Sequence, residues 1–251
     1  MANFIVDLDR ADHYKGLENG DIVFCKTDLL ICLFEQIKDF SGQIKLISHK
    51  SDTPITEELF FKKPSCVKKW FAQNVDYQHP DLTPVPIGIE NHDGPSKGSC
   101  IDLEFVKNNL PILNLSKEKK IYSNFTDTHS NRFNVRNFLK KSQKVFTAQN
   151  ILSSADYHKE MSNYEFVASP RGNGIDCHRT WEALLVGSFP IVERHFMYDT
   201  YPTLPIIQID SWDEVLEENF FNKTEKTLSK KRLDLSALSM SYWREKIYGI
   251  N

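Results

Sequence analysis

The chain has 251 residues and a formal net charge of −3, and charged residues make up 26% of it. Hydrophobic residues account for 40%, the balance of a globular chain long enough to bury a sizeable core. Without a global positive charge, the composition argues against a nucleic-acid-binding protein. No stretch approaches the length of a membrane span, and the N-terminus is acidic where a signal peptide would be basic. The length predicts one large domain or two small ones.

Cysteine usage predicts the compartment. The chain contains five cysteines: Cys25, Cys32, Cys66, Cys100 and Cys177. Their number is odd and no Cys-x-x-Cys pair occurs, so the sequence predicts neither a zinc site nor a disulfide framework. Reduced thiols are typical of the cytosol, and we therefore predict a cytoplasmic protein.

The first half of the chain alternates short apolar runs with helical patterns. Strands are predicted at residues 21–26 and 43–48, and a helix at 28–40. Residues 56–74 have a helical pattern that Pro64 must break or kink. The proline-containing segment 83–90 is more typical of an edge strand or a loop than of a central strand.

The second half repeats this alternation. The predicted strands are residues 120–125, 144–148, 165–169, 189–192 and 205–209. The predicted helices are residues 131–141, 154–163, a helix from about 177, 212–219 and 235–248. This order predicts an α/β protein with parallel sheets and helices on both faces, arranged as two Rossmann-like domains. We place the domains at residues 1–115 and 116–251, and the last helix is allowed to pack back on the first domain.

A glycine loop between a strand and a helix carries the strongest chemical signal. Residues 171–176 read Arg-Gly-Asn-Gly-Ile-Asp, and the helix that follows carries His178, Arg179 and Glu182. Glycines allow positive φ angles and close approach to a ligand. The start of a helix offers unpaired N–H groups and the positive end of a dipole. With arginine and histidine donors, this combination favours a phosphate or diphosphate.

The spacing within the helix suggests further roles. Glu182 follows His178 by four residues and Arg179 by three, so all three share one helix face. A carboxylate at this position is suited to accept hydrogen bonds from the two hydroxyls of a ribose. Asp176 has two alternatives, a structural helix N-cap or a sugar ligand. The simpler alternative for the whole run is an Arg179–Glu182 ion pair after an ordinary glycine turn.

Residues 166–184 and 187–192 closely resemble the nucleotide-sugar-binding motif of exostosin-like glycosyltransferases. The match covers roughly 30 residues, and it differs from the dinucleotide and P-loop patterns in its glycine spacing. The resemblance implies a GT-B fold, in which two Rossmann-like domains face each other across a cleft and the second binds the donor. It also implies that Arg171 or Arg179 contacts the diphosphate and that Glu182 holds the ribose. The chain is short for two full GT-B domains and lacks the membrane anchor of animal exostosins, which favours a compact, soluble member.

The resemblance and the residues together give a set of candidate donor ligands. Arg132 belongs to it because it begins a helix after the first strand of the donor half, and Arg136, one turn later, is a weaker candidate. The full donor-binding set is Arg132, Arg171, Asn173, Gly174, Asp176, His178, Arg179 and Glu182. No cofactor is predicted, since a UDP- or GDP-linked sugar is the donor substrate and a saccharide or glycoprotein glycan is the acceptor.

Transfer to a saccharide hydroxyl requires a base, which we expect from the first domain. Ligands bind at the carboxyl ends of strands in such sheets, and His49 and Asp52 follow one predicted strand there. Glu90 follows the next extended segment in the same sense. We rank Asp52 first, then His49, then Glu90, and Asp52 has the alternative role of starting the turn before Pro54.

These residues predict an inverting, metal-independent glycosyltransferase. One alternative is a metal-dependent GT-A-type transferase that uses the Asp-x-Asp pair Asp7 and Asp9. We interpret that pair as a surface turn because it precedes any complete nucleotide-binding unit, and we predict no essential metal. The other alternative is a module that binds a nucleotide or glycan without catalysis.

Overall fold

The computed structural model describes residues 4–6, 16–89, 117–148 and 152–249. By their internal contacts the residues divide into two units. Unit 1 comprises Met1–Ile87, Gly174–Asp176 and Ser239–Asn251, and unit 2 comprises Gly88–Asn173 and Cys177–Leu238. The predicted domain boundary between residues 115 and 116 adjoins a stretch, 90–116, that is outside the described residues.

Unit 1 is built on a parallel sheet whose strands follow one another in chain order. The strands are β1 (Phe4–Val6), β2 (Ile22–Lys26), β3 (Ile44–His49), β4 (Val67–Ala72) and β5 (Leu82–Pro84). Its helices in the described part of the chain are α1 (Leu30–Ile37), α2 (Glu57–Phe61) and, after unit 2, α8 (Met240–Tyr248). The proline-containing strand β5 lies at the edge of the sheet, which confirms the prediction for that segment.

Trp70 organises the core of unit 1. Its ring is fully buried, meets Phe34 of α1 edge to face at 5.6 Å, and stacks on Phe60 at 6.1 Å. Its indole N–H donates to the Ser48 hydroxyl at 2.9 Å, so the polar atom carried into the core has a partner. Strands β3 and β4 are therefore joined through their side chains as well as through their backbones.

The prediction of a helix across residues 56–74 is wrong after its first turn. Helix α2 begins at Glu57 behind a Thr56 cap and ends at Phe61, and Val67–Ala72 is strand β4. Pro64 stops the helix, as its fixed φ and missing N–H require. Pairing of β4 with β3 then overrides the helical spacing of its apolar residues, because the strand's side chains pack into the core.

Unit 2 also has a parallel sheet, in the order β10-β9-β8-β6-β7. The strands are β6 (Glu118–Ser123), β7 (Val145–Thr147), β8 (Tyr164–Ala168), β9 (Phe189–Glu193) and β10 (Ile207–Ile209). The helices of this unit in the described residues are α3 (Ser130–Leu139), α4 (Ser154–Met161), α5 (His178–Leu185), α6 (Phe196–Asp199) and α7 (Phe220–Leu228). The order reverses around β6 and β8, so the loops that follow these neighbouring strands begin at the same edge of the sheet.

The end of unit 2 differs from the prediction. Residues 212–219 were expected to form a helix, but only a short 3-10 helix, Trp212–Leu216, forms there. It is followed by α7, which the sequence reading missed. Helix α7 buries Phe220, Thr224 and Leu228, which are spaced four residues apart. A threonine in the middle position weakens the hydrophobic signal of that spacing.

The two parallel sheets make this a mixed α/β protein, which confirms that part of the prediction and is compatible with two Rossmann-like units. Among the described helices, none is both long and apolar enough to cross a membrane. The described cysteines, Cys25, Cys32, Cys66 and Cys177, are all free thiols. Burial raises the pKa of the Cys25 thiol to about 12, so that thiol is unreactive at neutral pH.

Candidate functional site

The predicted ligand loop joins β8 to α5 in unit 2. Ser169 extends the pairing of β8, with its N–H donating to Ile191 O at 2.9 Å, and its hydroxyl bonds the Thr180 hydroxyl at 2.9 Å. Helix α5 begins at His178 with Cys177 as the N-cap, and no side chain caps it. The α5 end of the loop is thus anchored to β8 by side-chain contacts, which fixes the helix that carries Arg179 and Glu182.

Asp176 does not cap α5, so the N-cap alternative is wrong. Its carboxylate accepts a hydrogen bond from the Ile87 N–H at 2.8 Å, and its own N–H donates to Asn74 Oδ1 at 2.9 Å. Residues 174–176 therefore group with unit 1, and the Asp176 side chain is almost fully buried there. Through these bonds, Asp176 stabilises the backbone of its own unit.

The two loop glycines are explained by close packing. Neither Gly172 nor Gly174 has a positive φ, so that part of the prediction is wrong. A Cβ at Gly172 would lie 3.1 Å from the guanidinium of Arg132, and one at Gly174 would lie 2.7 Å from the Asn74 amide nitrogen. The missing side chains leave room for these two polar groups of the protein.

Replacing Gly174 by alanine is expected to destabilise the fold by about 1–3 kcal/mol, as overpacked buried sites do. The new Cβ would displace the buried Asn74 amide, which donates to Ser51 O at 2.9 Å and accepts from the Asp176 N–H. Urea unfolding of Gly174→Ala measures the loss. Asn173→Ala, an exposed change in the same loop, is the control and should stay within about 0.5 kcal/mol of the wild type. Equal stability of the two variants would contradict this explanation of the glycine.

Arg132 lies on α3 and holds the two loops of this edge together. Its Nε donates to Arg171 O at 2.8 Å, and its Nη1 donates to Thr126 O at 3.1 Å and to the Thr128 hydroxyl at 2.8 Å. Its Nη2 donates to Pro170 O at 3.1 Å and to Cys177 Sγ at 3.7 Å. These five bonds use all five N–H donors of a guanidinium.

The charge of Arg132 is held in a buried, positively charged neighbourhood. Burial lowers the pKa of its guanidinium, and the charge of Arg179 lowers it further. Arg132, Arg136 and Arg179 surround the ring of Phe125, with guanidinium carbons 5.9, 5.3 and 5.5 Å from its centroid. Such contacts stabilise cations over an aromatic face. Arg136 also pairs with Asp127 at 2.7 Å, so this predicted candidate already has a carboxylate partner.

Arg171 has the least constrained guanidinium of the predicted donor ligands. Its Nε is 3.5 Å from Gly172 O and its Nη2 is 3.3 Å from Asn173 O, both long contacts within its own loop. Its backbone is fixed, because its N–H donates to Glu193 at 3.2 Å and its carbonyl accepts from Arg132. The side chain can therefore turn to a ligand at little cost while its base stays in place.

Arg179, on α5, is half-buried and incompletely hydrogen-bonded. Its Nε donates to Asn124 O at 3.1 Å, and its guanidinium is hydrogen-bonded to the Tyr157 hydroxyl. Burial raises the pKa of Tyr157, which keeps that hydroxyl neutral. Nη1 of Arg179 is buried and has no hydrogen-bond partner in the described structure. A buried charged donor without a partner costs free energy, and a bound acceptor would recover it.

Glu182 lies one turn further along α5 and is almost fully buried. Its carboxylate oxygen Oε1 is 3.7 Å from Nε2 of His158, which is also buried. Neither ring nitrogen of His158 has a hydrogen-bond partner among the described residues. Of the buried side-chain atoms without partners in the described residues, three are nitrogens on α4 and α5, namely both of His158 and Nη1 of Arg179.

The remaining predicted donor ligands have simpler positions. His178 contacts Gly88 O through Nδ1 at 2.8 Å, and Asn173 is exposed in the loop. The sequence reading missed Tyr157 and His158 on α4, which contact Arg179 and Glu182. No local signal could have found them, because the contacts arise only when α4 and α5 pack together.

The candidate bases belong to unit 1. His49 ends β3, with Nε2 3.1 Å from Pro86 O, and Asp52 is exposed in the loop that follows. That loop is ordered by Asp28, which takes hydrogen bonds from Ser51 and Thr53. Glu90, Asp7 and Asp9 lie outside the described residues.

The described part of the chain contains no group of three or more histidine, cysteine, aspartate or glutamate residues arranged to hold a metal ion. No protein-family model matches the chain, and no curated protein matches it either.

Proposed function

We propose that the chain is a GT-B-type glycosyltransferase that moves a sugar from a nucleotide-diphosphate donor to a saccharide acceptor, with inversion and without a metal. The observation that carries the proposal is the unpartnered buried nitrogen of Arg179, one turn before the buried Glu182 carboxylate. A cation and a carboxylate on one helix face match a ligand that has an anionic part and a hydroxyl-bearing part. A nucleoside diphosphate has both.

The anionic part is assigned to the two arginines. Arg171 has only long contacts within its loop, and Arg179 has a free N–H, so both have donors to give to phosphate oxygens. When the glycosidic C–O bond breaks, the bonding electrons stay with the diphosphate. The arginines stabilise that growing negative charge. Arg132, whose donors are all used within the protein, orders the loops that carry these groups.

The hydroxyl-bearing part is assigned to Glu182, which accepts from the ribose hydroxyls. The acceptor hydroxyl oxygen attacks the anomeric carbon and loses its proton to a base. Asp52 and His49 of unit 1 remain the proposed bases, with Asp52 first because its carboxylate is exposed. Glu90 remains a further candidate.

A thermal-shift screen of the full chain in EDTA against UDP, GDP, CMP and their sugars tests the proposal. A ligand at a hundred times its dissociation constant adds about 2.7 kcal/mol of stability, so the true nucleotide should raise Tm by several degrees. Nucleotide release in the presence of saccharide acceptors then separates an enzyme from a binding module. No shift with any nucleotide would contradict the proposal.

Arg171→Ala is expected to reduce turnover about a hundredfold, the effect of removing one charge-stabilising donor. Its melting temperature should change little, because its side chain makes only long contacts. Steady-state kinetics with the nucleotide sugar identified by the screen, and thermal unfolding of the same samples, measure both effects. A collapse of Tm with proportionate loss of activity would make Arg171 structural.

A further inference from the structure

We infer that His158 is a positioning residue that orients the Glu182 carboxylate for its ligand. The inference rests on the proposed function, in which Glu182 holds the ribose hydroxyls. It goes further by naming a second residue that controls how the site distinguishes ribose from deoxyribose. The starting observation is a buried histidine with no hydrogen bond to either ring nitrogen.

Burial makes this arrangement costly unless a partner is supplied. A buried polar group without a hydrogen bond loses its hydration and gains nothing in return. The Glu182 carboxylate is a nearby acceptor, with Oε1 3.7 Å from Nε2. This separation exceeds a hydrogen bond by about 0.7 Å, a gap that a small rotation of the carboxylate closes. The ionised oxygen also favours the tautomer that carries the proton on Nε2.

The residue before His158, Tyr157, makes a similar contact with the other charged side chain of α5. Tyr157, directly before His158 on α4, is hydrogen-bonded to Arg179, while His158 faces Glu182. Successive residues of α4 thus back the two charged side chains of α5. Because Nε2 of His158 faces the Glu182 carboxylate, we expect His158 to act through that carboxylate.

The consequence is a directional carboxylate. Once the rotated carboxylate accepts the Nε2–H of His158, it can no longer turn freely, and its remaining lone pairs point in fixed directions. An acceptor fixed in this way strengthens the binding of a ligand with a hydroxyl at one position. A deoxy analogue, which lacks that hydroxyl, binds more weakly. Without His158, the carboxylate reorients and discriminates less.

Two substitutions separate hydrogen bonding from packing. His158→Phe fills the space without a nitrogen donor, whereas His158→Gln places an amide N–H near the position of Nε2. If the ring served only to fill the core, phenylalanine would be the better replacement. If the N–H matters, glutamine is the better one. Lys159→Gln, at an exposed neighbouring position of α4, is the matched control.

Calorimetry of the full chain with UDP, GDP and their 2′-deoxy and 3′-deoxy counterparts provides the readout. We expect the wild type to prefer the ribonucleotide over at least one deoxy analogue by about tenfold, the worth of one hydrogen bond to a charged group. His158→Phe should reduce this preference to about threefold or less, and His158→Gln and Lys159→Gln should keep it. His158→Leu replaces His158→Phe if the latter does not fold.

The possible failures are distinct. If the wild type binds neither UDP nor GDP, the proposed function fails and this inference fails with it. If the wild type binds a ribonucleotide but shows no preference over either deoxy form, nucleotide binding stands, but the ribose assignment of Glu182 fails and the inference is overturned with it. It is likewise overturned if His158→Phe retains the preference or if His158→Gln loses it as His158→Phe does.

Discussion

Replacing Arg132 by methionine is expected to lower the free energy of unfolding by about 3 kcal/mol or more, since each buried acceptor left unpaired costs about 1–3 kcal/mol. Methionine approximates the length of the side chain but has no donors. Pro170 O, Arg171 O and Thr126 O would all lose their hydrogen bonds at once. For a chain of this size such a loss corresponds to a fall in Tm of roughly 6–12 °C.

Arg136→Met is the control for this prediction. Arg136 lies one turn later on α3, is half-buried, and pairs with Asp127 and with Phe125 O. Arg136 makes an ion pair and a backbone hydrogen bond where Arg132 makes five hydrogen bonds, so this variant should lose less stability than Arg132→Met. Thermal and urea unfolding of both variants make the comparison. Equal stabilities would show that the five bonds of Arg132 are not needed to order the loops.

Arg132→Lys separates the effect of the positive charge from that of the guanidinium geometry. An ammonium group has three donors at a single point, whereas the guanidinium spreads five over a plane. Lysine cannot reach both the 126–128 loop and the 170–171 backbone together, so it should recover only part of the lost stability. Full recovery would mean that charge matters here and geometry does not.

The role of Arg132 also shows where sequence reasoning stops. Its place at the start of a predicted helix was correct, and α3 begins at Ser130. An arginine at the start of a helix in the predicted donor half suggested a contact with the donor diphosphate. The five acceptors of its N–H groups are mostly backbone carbonyls, and the sequence does not reveal the direction in which a carbonyl points. An arginine saturated by its own backbone and an arginine waiting for a phosphate have the same sequence signature.

The sheets were predictable because their strands are short apolar runs bounded by turn residues. β8 and β9, for example, lie within one residue of the predicted 165–169 and 189–192. The prediction for residues 67–72 was wrong because their apolar spacing fits a helix as well as a strand. Only pairing with β3 decides between the two. The type of an element could be predicted where the local sequence pattern and the tertiary context agreed. The prediction failed where the two disagreed.

The candidate site divides in the same way. Trp181 and Leu184 of α5 lie in the core, and Gly187 ends α5 with φ +72°. Those assignments follow from helix periodicity and glycine chemistry alone. His158 is 24 positions before Glu182 in the chain, and nothing local marks it as a neighbour. Its contact with the carboxylate exists only in the folded unit.

Replacing Glu182 by glutamine is expected to weaken the binding of the cognate nucleoside diphosphate by about tenfold to a hundredfold. Hydrogen bonds to a charged group contribute about 1.5–3 kcal/mol, and the amide retains the shape but loses the charge and one acceptor. Glu182→Ala should weaken binding further, because it also removes the remaining acceptor. Calorimetric titration with UDP and GDP measures both.

Stability must be measured on the same samples, because Glu182 is a buried carboxylate that interacts electrostatically with Arg179. Removing a buried charge while its opposite charge stays behind is destabilising, so Glu182→Ala should also lower Tm. Glutamine should lose less stability, and its affinity loss is therefore the cleaner measure of ligand contact. Glu160→Gln is the matched control, since that carboxylate, on α4, accepts from the Tyr122 hydroxyl at 2.7 Å. Wild-type nucleotide affinity in Glu182→Gln would falsify the ribose assignment, and an equal loss in Glu160→Gln would show that the effect is a general loosening of unit 2.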